Sequence, residues 1–266
     1  MQHAMRLKPL YKGDMVMEIG LQMYTIAPAC QDLQSLDESM KRVADIGYKN
    51  IQLSGVCEYE PEWIKERLDK YGLKCVLTHR SPDELCEDPA KVAKLHDIFD
   101  CDYIGLGMYK FDETPEDYQV FLDKFTPVAK GLKENGKFFL CHNHDYEFAK
   151  INGKRIIEKM QEDFSADLLG FTFDVYWAVT AGADPVEWIE KLSGRIPCLH
   201  IKDLAVWGRK PRMAPIGEGN MRYDKIFAAA EKAGTKYMLV EQDTCYEEDP
   251  FDCIKRSYDY LRSCGF

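Results

Sequence analysis

The sequence predicts an α/β chain folded as a single (β/α)₈ barrel. Three observations predict it: eight β-rich apolar runs with helical pattern between them, a recurring helix–glycine–strand junction, and polar residues collected where those runs end. The runs are Ile19–Tyr24, Ile51–Ser54, Cys75–His79, Tyr103–Met108, Phe138–His142, Gly170–Asp174, Cys198–Ile201 and Tyr237–Glu241. They are continuous rather than alternating, as in parallel strands covered on both faces. Alternating β and α units give a layered α/β fold, and eight units in 266 residues favour a closed barrel over an open sheet. No GxGxxG follows the first run and no GxxxxGK[ST] occurs, so a nucleotide-binding sheet lacks its signature. One domain is expected over 1–266, with 1–16 as an N-terminal extension.

The junction recurs at Gly47, Gly72, Gly136 and Gly234, each followed by a lysine at Lys49, Lys74, Lys137 or Lys236. Glycine ends a helix by taking the left-handed conformation, and the lysine sits near the negative end of the helix dipole. The helix before Gly47 carries Leu33, Leu36, Met40, Val43 and Ile46 at helical spacing. Ser35 with Glu38 is expected to form the capping box at its start.

Composition narrows the function. The chain is 45% hydrophobic, and its net charge of −10 argues against general nucleic-acid binding, which needs a basic face. No stretch approaches the ~20 apolar residues of a membrane span, and the N-terminus lacks a signal-peptide core. A soluble cytoplasmic protein is expected. The ten cysteines contain no CxxC pair and several lie in apolar runs, so they read as reduced, buried thiols. Cys141 and His142 are strand neighbours on opposite faces, which argues against a catalytic pair.

The strand ends carry the chemistry. The third run ends in Thr78-His79-Arg80 and the fifth in His142-Asn143-His144-Asp145-Tyr146-Glu147. The sixth ends in Asp174, the seventh gives His200-Ile201-Lys202-Asp203, and the eighth ends in Glu241-Gln242-Asp243. In this fold such ends converge on one mouth. His142 or His144 with Asp174, His200 and Glu241 form a candidate ligand set for one divalent metal ion. Two imidazoles and two carboxylates suit Mn²⁺, Zn²⁺, Co²⁺ or Fe²⁺ better than Mg²⁺. Each residue also has a structural reading: Asp174 can cap the next helix, and Glu241 can pair with Lys202 or Arg80. Several buried carboxylates facing one mouth nevertheless need a cation. His96 lies in a helical stretch and reads as structural. Tyr24, Trp177 and Trp207 are candidate sugar-stacking aromatics.

These residues resemble the xylose isomerase-like TIM-barrel superfamily of sugar phosphate isomerases and epimerases, which also holds ketose 3-epimerases, inosose dehydratases and endonuclease IV enzymes. The resemblance runs from Gly20 to Glu241. It is sharpest at Cys141–Phe148, Phe173–Trp177, Leu199–Asp203, Ile216–Gly219 and Val240–Asp243. The epimerases of that group hold a metal with Glu, Asp, His and Glu from strands five to eight. The last three map onto Asp174, His200 and Glu241. The first maps onto His142, a departure, with Glu147 as an alternative source of the carboxylate. The group's usual second histidine after the strand-six Asp is replaced by Trp177.

The resemblance implies proton abstraction beside a carbonyl through an enediolate, on a small sugar or sugar derivative. Glu241, His144 and Glu147 are the candidate bases, and Lys202 is a hydrogen-bond donor to the developing oxyanion. Expected substrate contacts are Tyr24, His79, Arg80, Trp177, Asp203 and Glu218. Arg209, Lys210 and Arg212 offer an anion-binding stretch. The resemblance allows a homo-oligomer; its endonuclease IV branch binds DNA, but six histidines and a net charge of −10 argue against that branch, so neither nucleic acid nor membrane is expected as partner. The competing outcomes are a dehydratase or keto-glycoside lyase on the same scaffold, a non-catalytic sugar-binding barrel, and a metal-free hydrolase using Glu147 with Glu241.

Overall fold

A computed structural model of the chain describes residues 17–266. The extension expected over 1–16 lies outside the described residues. Eight parallel strands close into a barrel: β1 (Glu18–Gln22), β2 (Asn50–Leu53), β3 (Lys74–Arg80), β4 (Tyr103–Leu106), β5 (Phe138–His142), β6 (Leu169–Asp174), β7 (Cys198–Ile201) and β8 (Tyr237–Val240). Each pairs with its sequence neighbour, and β8 returns to β1 with Leu21 opposite Val240. All eight expected runs are therefore strands.

Small residues let the barrel interior close. Val76, Leu77, Leu140, Cys198 and Leu239 fill it. A Cβ on Gly20 would meet the Leu239 side chain at 2.6 Å, and one on Gly170 would meet the Arg195 carbonyl oxygen at 2.9 Å. A second, larger apolar layer lies between the strands and the surrounding helices. In α1 (Leu33–Ile46), Leu36, Met40 and Val43 face that layer and are fully buried. Burying each contributes about 1.5–3 kcal/mol.

The recurring junction has the expected geometry: φ is +123°, +62°, +75° and +80° at Gly47, Gly72, Gly136 and Gly234. The cap of α1 differs from expectation. The capping residue is Asp32, and Ser35 is its reciprocal partner three residues on. Asp32 accepts from the Ser35 N–H at 2.8 Å, so the helix starts three residues earlier than a Ser35–Glu38 box would place it. The next helix is α2 (Pro61–Tyr71).

Two hairpins were not expected. Lys150–Ile151 pairs with Lys154–Arg155, and Asp203–Trp207 pairs with Lys210–Ala214. The second stands directly after β7, on the face where the strand ends converge. All ten cysteines are free. Among the described residues, no helix is long and apolar enough to cross a membrane.

Candidate metal and substrate site

The C-terminal strand ends bring His142, Asp174, His200 and Glu241 together. The donor atoms of His142, Asp174 and His200 lie within 4.8 Å of one another. Glu241, the residue after β8, closes the fourth side. Its Oε2 is 2.8 Å from His200 Nδ1, and Asp174 Oδ2 is 3.7 Å from the same nitrogen.

Backbone and side-chain partners aim each donor. Asp174 is the N-cap of α3 (Val175–Thr180): its Oδ1 accepts from the Tyr176 and Trp177 N–H groups at 2.9 and 3.1 Å. That fixes the carboxylate and turns Oδ2 to the centre. The Nδ1 of His142 meets the Thr172 carbonyl oxygen at 3.3 Å, which leaves Nε2 as its ligand atom. The Nε2 of His200 meets Gln52 Oε1 at 2.6 Å. A proton donated there leaves Nδ1 as a lone pair, the arrangement that orients ligand histidines.

These residues fit a divalent ion. Asp174 Oδ2, His200 Nδ1 and Glu241 Oε2 are buried, close together, and without a hydrogen-bond partner of acceptable angle. Orphaned polar atoms at such density are costly unless a cation joins them. Two carboxylates with two neutral imidazoles would also balance a 2+ charge.

Lys202 competes for part of that charge. Its Nζ is 3.0 Å from both Asp174 Oδ2 and Glu241 Oε2, and 2.9 Å from Asp243 Oδ1. Burial opposes the ammonium charge, but the three carboxylates outweigh it and raise the lysine above its ordinary value. Burial likewise opposes charge on Glu241, yet Lys202 and His200 hold it well below the usual carboxylate range. Asp243 is pushed up to about 7 by burial and by Glu241 beside it. His200 is raised: burial opposes its charge, and Glu241 and Asp174 overcome that opposition. Burial lowers His142, with His200 and His144 adding to the effect, and burial takes His79 down to about 3.

The mouth opens into a cavity of about 510 Å³ lined by Gln22, Tyr24, His79, His142, His144, Trp177, Lys202, Glu241 and Asp243, among others. His79 fits there because Gly105 and Gly107 carry no side chain; a Cβ on either would come within 2.8 Å of the ring. His79 Nε2 and Trp177 Nε1 are buried without partners. The Nδ1 of His144 lies 2.9 Å from the Tyr146 hydroxyl, and its ring stacks on Tyr146.

Several expected residues stand elsewhere. Glu147 is buried outside the cavity lining, and its Oε2 accepts from the His144 N–H at 2.7 Å. Burial pushes it up to about 8. It therefore supports the His144 backbone and does not supply the strand-five carboxylate, nor does it face Glu241 as a hydrolytic pair. Asp203, expected as a substrate contact, is engaged elsewhere. Its carboxylate accepts from the N–H groups of Leu204, Gly217, Gly219 and Met221 at 2.8–3.2 Å, so it anchors a loop and does not face substrate. Glu218 is exposed and paired with Arg256 at 2.7 Å, away from the cavity. Arg80 lines the cavity, but its guanidinium is held by Glu84. Trp207 is 72% exposed on the hairpin after β7 and is not in the lining. Arg212 of the basic stretch is taken up by Glu247 at 3.0 Å and by the Tyr246 ring. His96 is buried between Thr78 Oγ1 and the Val92 carbonyl oxygen, each at 2.7 Å, as a structural residue.

Sequence reading passed over Gln52, Gln22 and Asp243. A glutamine inside the apolar run Ile51–Leu53 was the available signal for the first. Asp243 was visible in the strand-eight run but had been given no role.

Comparison with known proteins agrees with this fold. The family model described as xylose isomerase-like TIM barrel matches residues 40–264. An inosose dehydratase from Mesomycoplasma hyopneumoniae is 23% identical over 86% of this chain and 88% of its own. The crystal structure of a sugar phosphate isomerase/epimerase from Parabacteroides distasonis is 26% identical, covers 93% of this chain and 98% of its own, and has a TM-score of 0.78. A second such structure from the same organism is 23% identical over 96% of both chains, with a TM-score of 0.81.

Proposed function

The chain belongs to the xylose isomerase-like TIM-barrel family, and from that premise we propose that it is a metal-dependent enzyme which enolises a small polyhydroxylated ketone. Isomerisation or epimerisation of a sugar or sugar derivative is the first reading. One observation carries it: the buried atoms of Asp174, His200 and Glu241, left without well-angled hydrogen bonds, converge beside His142, and His142 and Glu241 line a sugar-sized cavity.

His142, Asp174, His200 and Glu241 would hold the ion, which when bound draws charge from the substrate carbonyl and acidifies the adjacent C–H. His144 is the base. Burial lowers its proton affinity, and the Asp174 carboxylate opposes this only partly, so its imidazole is neutral and ready to accept. With Nδ1–H donated to the Tyr146 oxygen, Nε2 becomes the accepting atom. Lys202 keeps Asp243 as its counterion and directs N–H bonds toward oxygen in the cavity. His79 and Trp177 offer unpartnered ring nitrogens to substrate hydroxyls.

Return of the proton to the other face gives an epimer, and return to the neighbouring carbon gives an isomer. Dehydration is the second reading, and His142 favours it. A proton shuttle between strand-five and strand-eight carboxylates needs an acid where this chain has imidazole. Elimination needs one base and an acid for the departing hydroxyl, and Asp243, near 7, suits the latter. The similarity to an inosose dehydratase supports the same reading.

The test is metal content by elemental analysis, with solvent deuterium exchange into a panel of ketoses and inososes. Expected are about one divalent ion per chain and exchange lost on chelation. His144→Gln should keep the metal while slowing exchange by about 10²–10⁴-fold. A metal-free protein that stays inert after Mn²⁺ or Co²⁺ is added would sink the reading.

A further inference from the structure

A second cavity of about 520 Å³ opens beside the first, between the loop after β2 and the end of β3. Ser54, His79 and Arg80 line both cavities, so the two adjoin across these residues. His79 stands on the partition: its Nδ1 lies 3.3 Å from Ser54 Oγ, and its Nε2 is buried without a partner. Gly55, at φ +69°, lets Tyr24 pack over the junction, since a Cβ there would meet the ring at 2.4 Å. Each half is within the range of a small-molecule site, about 300–1,000 Å³. Together they exceed what one sugar ring requires.

We propose that the second cavity is a subsite for an uncharged polyol ring joined to the ketone ring in the metal pocket. The substrate is then a glycoside and not a sugar phosphate. This rests on the enolising reading only for which ring reacts.

The lining chemistry selects the occupant. Glu58, Glu60 and Glu84 bring three carboxylates to the second cavity. Arg80 is the cation among its lining residues, and Glu84 already takes both Nε and Nη2 of that guanidinium. A phosphate needs free N–H donors and would instead meet net negative charge. Sugar hydroxyls are donors, and carboxylates accept from them. Leu33, Val56 and Tyr59 supply an apolar wall for the C–H face of a ring.

Calorimetric titration tests it with glucose, glucose 6-phosphate, trehalose, maltose and cellobiose. At least one disaccharide is expected to bind ten-fold or more tightly than glucose. Leu33 is 42% exposed, so Leu33→Trp fills the outer cavity without disturbing the core. It should erase the disaccharide's advantage over glucose. Glu58→Lys, made in parallel, should improve glucose 6-phosphate at least three-fold. The subsite is overturned if glucose 6-phosphate binds wild type most tightly, if no disaccharide exceeds glucose, or if Leu33→Trp leaves the disaccharide advantage intact. Failure of the enolising reading registers separately, as absent deuterium exchange on ketoses while the binding pattern stands.

Discussion

The two ends of the barrel bury polar groups on different terms. At the N-terminal end, the Arg195 guanidinium donates to the carbonyl oxygens of Gln161, Phe164 and Leu169 at 2.6–3.1 Å. Asn50 there donates to Glu18 and to the Ile19 carbonyl oxygen. At the C-terminal end, Gln52, His79, Asp174, Trp177, His200, Glu241 and Asp243 each keep a buried atom without a hydrogen bond. The fold thus closes one end with Arg195 and Asn50 and gathers most of its atoms lacking well-angled hydrogen bonds at the other, where Lys202 ion-pairs with Asp174, Glu241 and Asp243. Satisfied groups stabilise; unsatisfied ones are available to a ligand.

Substitutions can break or sharpen that contrast. The largest effect is expected at the open end. Glu241→Gln removes a ligand carboxylate and should lower turnover by more than about 10³-fold, roughly 4 kcal/mol in the barrier. Metal content should fall with it, while the unfolding midpoint in urea changes little. At the closed end the signs reverse. Arg195→Leu strands three carbonyl groups and should cost about 2–4 kcal/mol of stability in denaturant unfolding. Turnover per folded molecule should stay at the wild-type level, and a loss there would mean the two ends are not separable.

A pH test takes a satisfied group on neither end. His96 is 2% exposed, and burial lowers it from 6.5 to about 4, against a bond to the Val92 carbonyl oxygen. The unfolded chain therefore takes up a proton near pH 6.5 that the folded chain refuses until about pH 4. The stability this group contributes is complete above 6.5, falls with pH through that window, and levels off below it. His96→Gln should flatten the decline by up to about 1.4 kcal/mol per pH unit, read from urea midpoints at pH 7, 6 and 5. The mildest change is Gln52→Leu. It frees Nε2 of His200 and should weaken metal affinity by about 10–100-fold, with little effect on folding.

The barrel was legible because its strands are apolar on both faces and its helix ends repeat one glycine junction. The candidate ligand cluster was legible for a related reason: topology alone carries the ends of β5 to β8 to one mouth. The hairpins were not read, although Asn152-Gly153, at φ +53° and +82°, is a strong two-residue turn signal. Glu147, Asp203 and Glu218 show a different limit. A carboxylate near a strand end looks the same in sequence whether it meets a cavity, a row of N–H groups or an arginine on the C-terminal helix. Only the backbone around Asp203, where a Cβ on Gly219 would lie 2.2 Å from the carboxylate, decides the matter.

The shared carboxyl of Asp174 has an optical consequence. One oxygen tethers the peptide that carries the Trp177 indole, and the other points where an ion would sit. A pull on the second oxygen is transmitted through a single rigid group to a fluorophore on the cavity wall. If an ion binds there, intrinsic emission is expected to change on metal addition, and the change is expected to vanish in Trp177→Phe, which separates this indole from the other three tryptophans.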